Sequence, residues 1–246
     1  MTGALGPGPE ADRPHLRPGG LDPNYLWMTG LMRLLCHGIL GDRVDVGGME
    51  RVPLRGGLLV VSNHVGAIDP PITGAYLPRR DLYFMARSEY FRNPVSRFFI
   101  VGYHGFPVVR ASADRAALRQ ALDLIAQGHA VVVYPEGHRS PDGRLQRPHP
   151  GAGFLARVAG APVLPIAVWG TEHVLPMGSL RPRRAGVHLR AGPAMPVPLD
   201  DGTGRRLTNQ EIADLLMTRI AEELPAGRRG IFDGSGAHRA VRPPAA

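Results

Sequence analysis

Residues 58–70 read LLVVSNHVGAIDP. The opening run, Leu58–Ser62, is short, apolar and rich in β-branched residues, the signature of a buried strand. His64 stands where that strand ends, and open α/β sheets place functional groups at that position. Asp69 follows five residues later. If the chain turns into a helix there, the carboxylate can fold back onto the imidazole, fix its tautomer and raise the basicity of the other ring nitrogen. Spacing alone leaves a second reading open, a histidine capping a helix beside an unrelated aspartate.

Working outward, strand-like and helix-like segments alternate. Leu82–Ala86, Phe106–Val109, Val131–Tyr134, Val163–Val168 and Val187–Arg190 read as strands, and Phe98–Val101 is a further apolar segment. Helices are expected over Pro70–Leu77 and over Arg115–Gln127, the latter capped by Ser112 or Asp114 and stopped at Gly128. Ala152–Ala159 and Thr208–Glu223 follow, the last with a capping-box pattern between Thr208 and Glu211. The alternation predicts an α/β layered fold: one domain over residues 42–225, with a mainly parallel or mixed sheet flanked by helices. Residues 1–22 read as a disordered arm and 226–246 as a disordered tail.

The 246 residues carry a formal net charge of +8, and all 29 basic residues are arginine. A codon bias toward Arg, Ala, Gly and Pro accounts for most of this. The charge still favours anionic partners such as phosphate groups and acidic lipid headgroups. No basic run with interleaved aromatic residues is present, which argues against nucleic acid. Cys36 is the one cysteine, so neither an internal disulfide nor a zinc-type cluster can form around it. No secretory signal and no apolar run of about 18 residues is visible. Asn24–Leu40 (NYLWMTGLMRLLCHGIL) is apolar, interrupted by Arg33 and His37, with Tyr25 and Trp27 at one end. It suits a helix lying in a membrane interface over residues 23–41, and equally an ordinary packing helix.

Three further segments carry chemistry or line it. Gly105-Phe106-Pro107-Val108-Val109-Arg110 brings an arginine to a strand end, where a guanidinium can grip a phosphate. Tyr134-Pro135-Glu136-Gly137-His138-Arg139-Ser140 brings charge abruptly after a buried strand. Ala161–Val168 carries no reactive group and suits an apolar wall or a plain core strand.

In this order and at these separations the four segments resemble the glycerolipid acyltransferase family. Asn63-His64-x4-Asp69 is similar to its NHx4D motif, and Gly105–Arg110 to its second motif. YPEGHRS at 134–140 resembles FPEGTRS, and VLPIAV at 163–168 resembles the proline-containing fourth motif. Phe84–Glu89 (FMARSE) resembles a further family stretch, FMAKSE. The similarity spans roughly residues 24–225. Departures fall near the implied acceptor pocket: Tyr134 and His138 replace Phe and Thr, Arg87 replaces Lys, and Arg147–Gly151 lacks an expected lysine.

The resemblance implies direct acyl transfer, with His64 as base and Asp69 orienting it. The donor would be acyl-CoA or an acyl carrier protein thioester. The acceptor would be a lysophospholipid hydroxyl, first among them 1-acylglycerol-3-phosphate, giving phosphatidic acid. Asn63, Gly105, Arg110, Glu136, Gly137 and Arg139 would bind substrate, the arginines facing phosphate. Neither metal nor further cofactor is implied. The resemblance places the protein peripherally on the cytoplasmic face of the membrane, in contact with the bilayer. Other acceptors (a glycolipid, a lyso-aminolipid, another lysophospholipid) and a non-catalytic lipid carrier remain alternatives. An esterase would need a G-x-S-x-G elbow, which is absent.

Overall fold

The structure is a computed structural model describing residues 23–79, 81–109, 114–179 and 181–234. Its first elements are helix α1 (Pro23–Leu40), strand β1 (Val44–Gly47), strand β2 (Leu58–Ser62) and helix α2 (Asp69–Tyr76). Strand β3 (Leu82–Arg87), helix α3 (Pro94–Gly102), strand β4 (Gly105–Val108), helix α4 (Arg115–Ala126) and strand β5 (Ala130–Val133) follow. The remainder is helix α5 (Pro150–Ala159), strand β6 (Val163–Trp169), helix α6 (Thr171–Val174), strand β7 (Val187–Ala191) and helix α7 (Asn209–Glu222).

Among these residues the strands form one seven-stranded sheet in the order β1-β7-β6-β2-β5-β3-β4. Every pairing is parallel except β6 with β7, which is antiparallel. The α/β class and the parallel/mixed sheet expected from the sequence are what the structure shows. β2 lies between β5 and β6, buried along its whole length. A strand covered on both faces loses the alternation of polar and apolar residues, which is why LLVVS reads as a continuous run.

Alternate residues of the central strands feed two cores. Leu59, Val61, Val131, Val133, Val163 and Ala167 face one side, packed with residues of α4, α5 and α7 such as Leu124, Leu155 and Ile212. Leu58, Val60, Val132, Leu164 and Ile166 face the other, against Tyr25 and Met28 of α1. α5 and α7 cross closely: a Cβ on Gly153 would stand 1.9 Å from the Asn209 carbonyl oxygen, so the crossing requires glycine. The α7 capping box forms, with Thr208 Oγ1 accepting from the Glu211 N–H at 3.2 Å and Glu211 Oε2 from the Thr208 N–H at 2.7 Å.

Several expectations shift. Asp114 caps α4 through its side chain, while Ser112 lies outside the described residues. The apolar segment Phe98–Val101 is part of helix α3, capped by Asn93 and opened by Pro94. β1 was not anticipated, because an edge strand of the sequence VDVG carries little apolar signal. The tail expectation fails for 226–234. Two 3-10 turns form there, Phe232 packs on the core, and Arg228 pairs with Glu172 at 2.7 Å. Residues 1–22 and 235–246 lie outside the described set.

Candidate active site

β2, β5 and β6 run parallel, so their C-terminal ends lie together, and the site is built there. β2 ends at Ser62, and the chain turns through 63–68 before α2 starts at Asp69. The turn brings the carboxylate back onto the strand end. Asp69 Oδ2 lies 2.8 Å from His64 Nδ1 and accepts the Val65 N–H at 2.7 Å and the Gly66 N–H at 2.8 Å. Its Oδ1 accepts the Thr171 hydroxyl. Because Oδ2 already accepts two backbone N–H groups, the imidazole must donate from Nδ1, and Nε2 carries the lone pair. Asp69 is fully buried, whereas the His64 side chain keeps 19% of its surface exposed. The Tyr134 ring stacks on the imidazole, centroids 4.3 Å apart. The His64–Asp69 pairing decides against the alternative of an unrelated aspartate.

The other expected site residues divide. Asn63 is buried and turned inward: Nδ2 donates to the Val168 carbonyl at 2.7 Å and Oδ1 accepts the Val168 N–H at 2.8 Å, tying β2 to β6. Its amide is not open to a substrate. Glu136 also faces inward, with Oε1 accepting the His64 N–H and Oε2 the Gln146 N–H, both at 3.1 Å. It holds the backbone at His64 and does not face outward. Burial, aided by the charges of Asp69 and Asp142 and opposed by those two N–H groups, pushes its carboxyl up to about 8. Gly137 turns with φ +68°, and a Cβ there would lie 2.9 Å from the His149 ring. Arg139 is half-buried and forms no ion pair among the described residues. It precedes Ser140, whose N–H donates to the His64 carbonyl at 2.7 Å. Gly105 lies buried on β4 against Ile100, at the sheet edge and three strands from β2, so it is not part of the His64 cluster. Arg110 lies outside the described residues.

Two contributors were missed from sequence. Thr171 and Gln146 reach the site from 102 and 10 residues away from their partners. Thr171 did carry a signal, a hydroxyl just beyond the end of buried β6. Gln146 acts through its backbone, which leaves none. A nucleophile is not supplied by the candidates at hand. Ser62 is fully buried and donates to the Asn63 carbonyl at 3.1 Å. Cys36 packs with Leu40, Ile72 and Val174, and burial pushes its thiol up to about 11.

An open cleft of about 710 Å³ begins at Val65, next to His64 in sequence. It runs between the 140–144 loop, α6 and the turn at 225–228, with Arg144, Leu175, Met177 and Arg228 in its walls.

This geometry has relatives. The acyltransferase family model matches residues 43–169, which hold β1 to β6 and the whole dyad. The 1-acyl-sn-glycerol-3-phosphate acyltransferase of Bacillus subtilis is 30% identical over 128 residues, 52% of this chain and 63% of that protein. A chloroplastic enzyme of the same description from Brassica napus is 31% identical over 140 residues, 56% of this chain and 40% of that protein. The chain thus spans less than two thirds of the curated relatives it matches. In fold it is similar to the crystal structure of the 1-acyl-sn-glycerophosphate acyltransferase PlsC from Thermotoga maritima. The TM-score is 0.65 at 24% identity, covering 81% of this chain and 79% of that one. A family match across half of the chain, with the His–Asp pair at the end of β2 inside it, makes this protein a member of the acyltransferase family.

Proposed function

We propose that the protein transfers a fatty acyl group from a thioester, acyl-CoA or acyl carrier protein, to the free hydroxyl of a lysophospholipid. The foremost acceptor is 1-acylglycerol-3-phosphate, the molecule named in its relatives. One observation carries this reading: a buried carboxylate holds His64 so that Nε2 is the free nitrogen, and the nearby serine hydroxyls are engaged elsewhere, Ser62 with the Asn63 carbonyl and Ser140 with Asp142 and the Arg144 carbonyl. The nucleophile is then the substrate's own hydroxyl. Nε2 takes the hydroxyl proton as the oxygen attacks the thioester carbonyl. The C–O bond forms, the C–S bond breaks, and the leaving thiolate takes the proton from the imidazolium. Arg139, next to the strand end and without an ion pair among the described residues, supports a phosphate on the acceptor, with Arg110 as its partner from the second motif.

The surface supports a lipid setting. No helix among the described residues is long and apolar enough to cross a membrane. α1 is nevertheless apolar on its outer face, with Trp27 59% and Leu34 68% exposed. α3 has no buried residue, and Val95 and Phe98 are 65% and 51% exposed. Trp27 and Phe98 meet edge to face at 6.2 Å, so the two helices present one apolar surface. Such a surface suits peripheral docking into the headgroup region.

The test is an acceptor screen with purified protein in detergent, product identified by mass spectrometry. Lysophosphatidate should be converted to phosphatidate, and a product level matching His64→Ala for every lysophospholipid would sink the reading. Vesicle flotation tests the surface: Phe98→Asp with Trp27→Asp should leave the protein unfloated, and undiminished flotation would place docking elsewhere.

A further inference from the structure

Asp69 carries its hydrogen bonds unevenly. Oδ2 accepts from His64, Val65 and Gly66, whereas Thr171 is the one donor to Oδ1 among the described residues. Thr171 is itself fully buried. A buried carboxylate oxygen without a donor is costly, and the carboxylate can relieve it by turning about its last bond. Such a turn would take Oδ2 away from the imidazole. Thr171 is also held from several sides. It follows β6 through Gly170, which turns with φ +92° against the Gly186 carbonyl. Glu172, next in sequence, accepts the Gly170 N–H at 2.8 Å and pairs with Arg228 at 2.7 Å. From the other side, a Cβ on Gly66 would stand 2.6 Å from Thr171 Oγ1, so the turn that donates to Asp69 fits only because residue 66 is glycine.

We infer that Thr171 is a positioning residue of the acyl-transfer site: its hydroxyl locks the Asp69 carboxylate in the rotamer that keeps His64 Nε2 free to act as base. This rests on the proposed transfer activity for its kinetic consequence, though not for its structural one. The hydroxyl also keeps the negative charge of Oδ2 against the imidazole. Without it the carboxylate turns, Oδ2 leaves the imidazole, and the imidazolium form loses the charge that favours it. The groups facing this pair are Tyr134, stacked on His64, and Glu136, bonded to its backbone N–H; neither changes in the variants below.

Two measurements test it on the full chain in detergent. The first is a ¹⁵N NMR titration of His64, which reports tautomer and midpoint without any substrate. Thr171→Val should lower the midpoint and reduce the Nδ1–H tautomer, Thr171→Ser should match wild type, and Gly66→Ala should behave like Thr171→Val. The second is transfer from a long-chain acyl-CoA to 1-acylglycerol-3-phosphate. Thr171→Val should lower kcat about 10- to 100-fold, the value of a hydrogen bond to a charged group, with both KM values within about twofold. The acid limb of kcat/KM should move to lower pH. A Thr171→Val protein whose His64 titrates as wild type does, with unchanged tautomer, overturns the inference whatever the kinetics. If wild type transfers nothing while the titration shifts as expected, the acceptor or the activity is wrong and the positioning role stands.

Discussion

The two ends of the parallel sheet both bury charge, and they use it differently. At the start of β2, β3 and β5 lies Arg79, with 1% of its surface exposed. Its guanidinium grips Asp81, donating from Nε at 2.7 Å and from Nη2. It also donates to the carbonyls of Pro53, Gly56 and Gly128 at 3.1, 2.8 and 3.0 Å. At the ends of β2, β5 and β6 lie Asp69 and Glu136, both fully buried, the first with four hydrogen-bond partners among the described residues and the second with two. There, however, the network stops one atom short of closure, at His64 Nε2. A saturated cluster can only hold strands in register. A cluster that fixes all but one nitrogen can do proton chemistry with that one.

The largest expected effect breaks the working end. His64→Ala should lower transfer by at least about 10²-fold, the minimum for a general base, with thermal unfolding near wild type. Retained activity within about tenfold would remove His64 from the mechanism. Asp69→Asn should be nearly as severe. Its amide must point a donor at either the Thr171 hydroxyl or the trio on Oδ2, and a loss of about 1–3 kcal/mol in stability should accompany the lost rate.

At the opposite end the signs reverse. Arg79→Met should cost about 3–5 kcal/mol in urea unfolding, because it leaves Asp81 with His129 alone and takes the guanidinium donor from three carbonyls, yet leave transfer per folded molecule unchanged. A large kinetic defect in folded Arg79→Met protein would erase the distinction between the two ends.

The smallest effect separates them by pH. Burial works against the Asp81 carboxylate, but the His129 and Arg79 side chains outweigh it and hold the group at about 2, below its ordinary 3.8. Its stabilisation is therefore present above pH 3.8 and lost as pH falls toward 2. Glu136 is raised from 4.5 to about 8, so its contribution is present below pH 4.5 and lost as pH rises through 8. Unfolding curves should show an acid limb that Asp81→Asn flattens and an alkaline limb between about pH 5 and 9 that Glu136→Gln flattens. An alkaline limb identical in the Glu136→Gln protein would assign it to other groups.

How much of this was legible in the sequence follows from how local each interaction is. LLVVS, VVV and VLPIAV announce strands because burial on both faces demands continuous apolar residues. Thr208 and Glu211 announce a helix start because a capping box closes within four residues. His64 and Asp69 were legible as a pair because one turn joins them. The roles of Asn63 and Glu136 were not. A sequence shows that a polar residue follows a buried strand, but not whether its side chain points out to a substrate or in toward Val168 and Gln146. The ordered turns at 226–234 were hidden for the same reason, since Arg228 has no local partner and finds Glu172 only in the folded chain.

The sequence by itself thus determined the buried strands, the caps at Asp114 and Thr208 and the His–Asp pair, all set by interactions a few residues long. Only the tertiary structure decided which polar side chains stand open and which are engaged. The donor to Asp69 Oδ1 lies 102 residues away on another strand end, and it arrives there only because β6 pairs with β2.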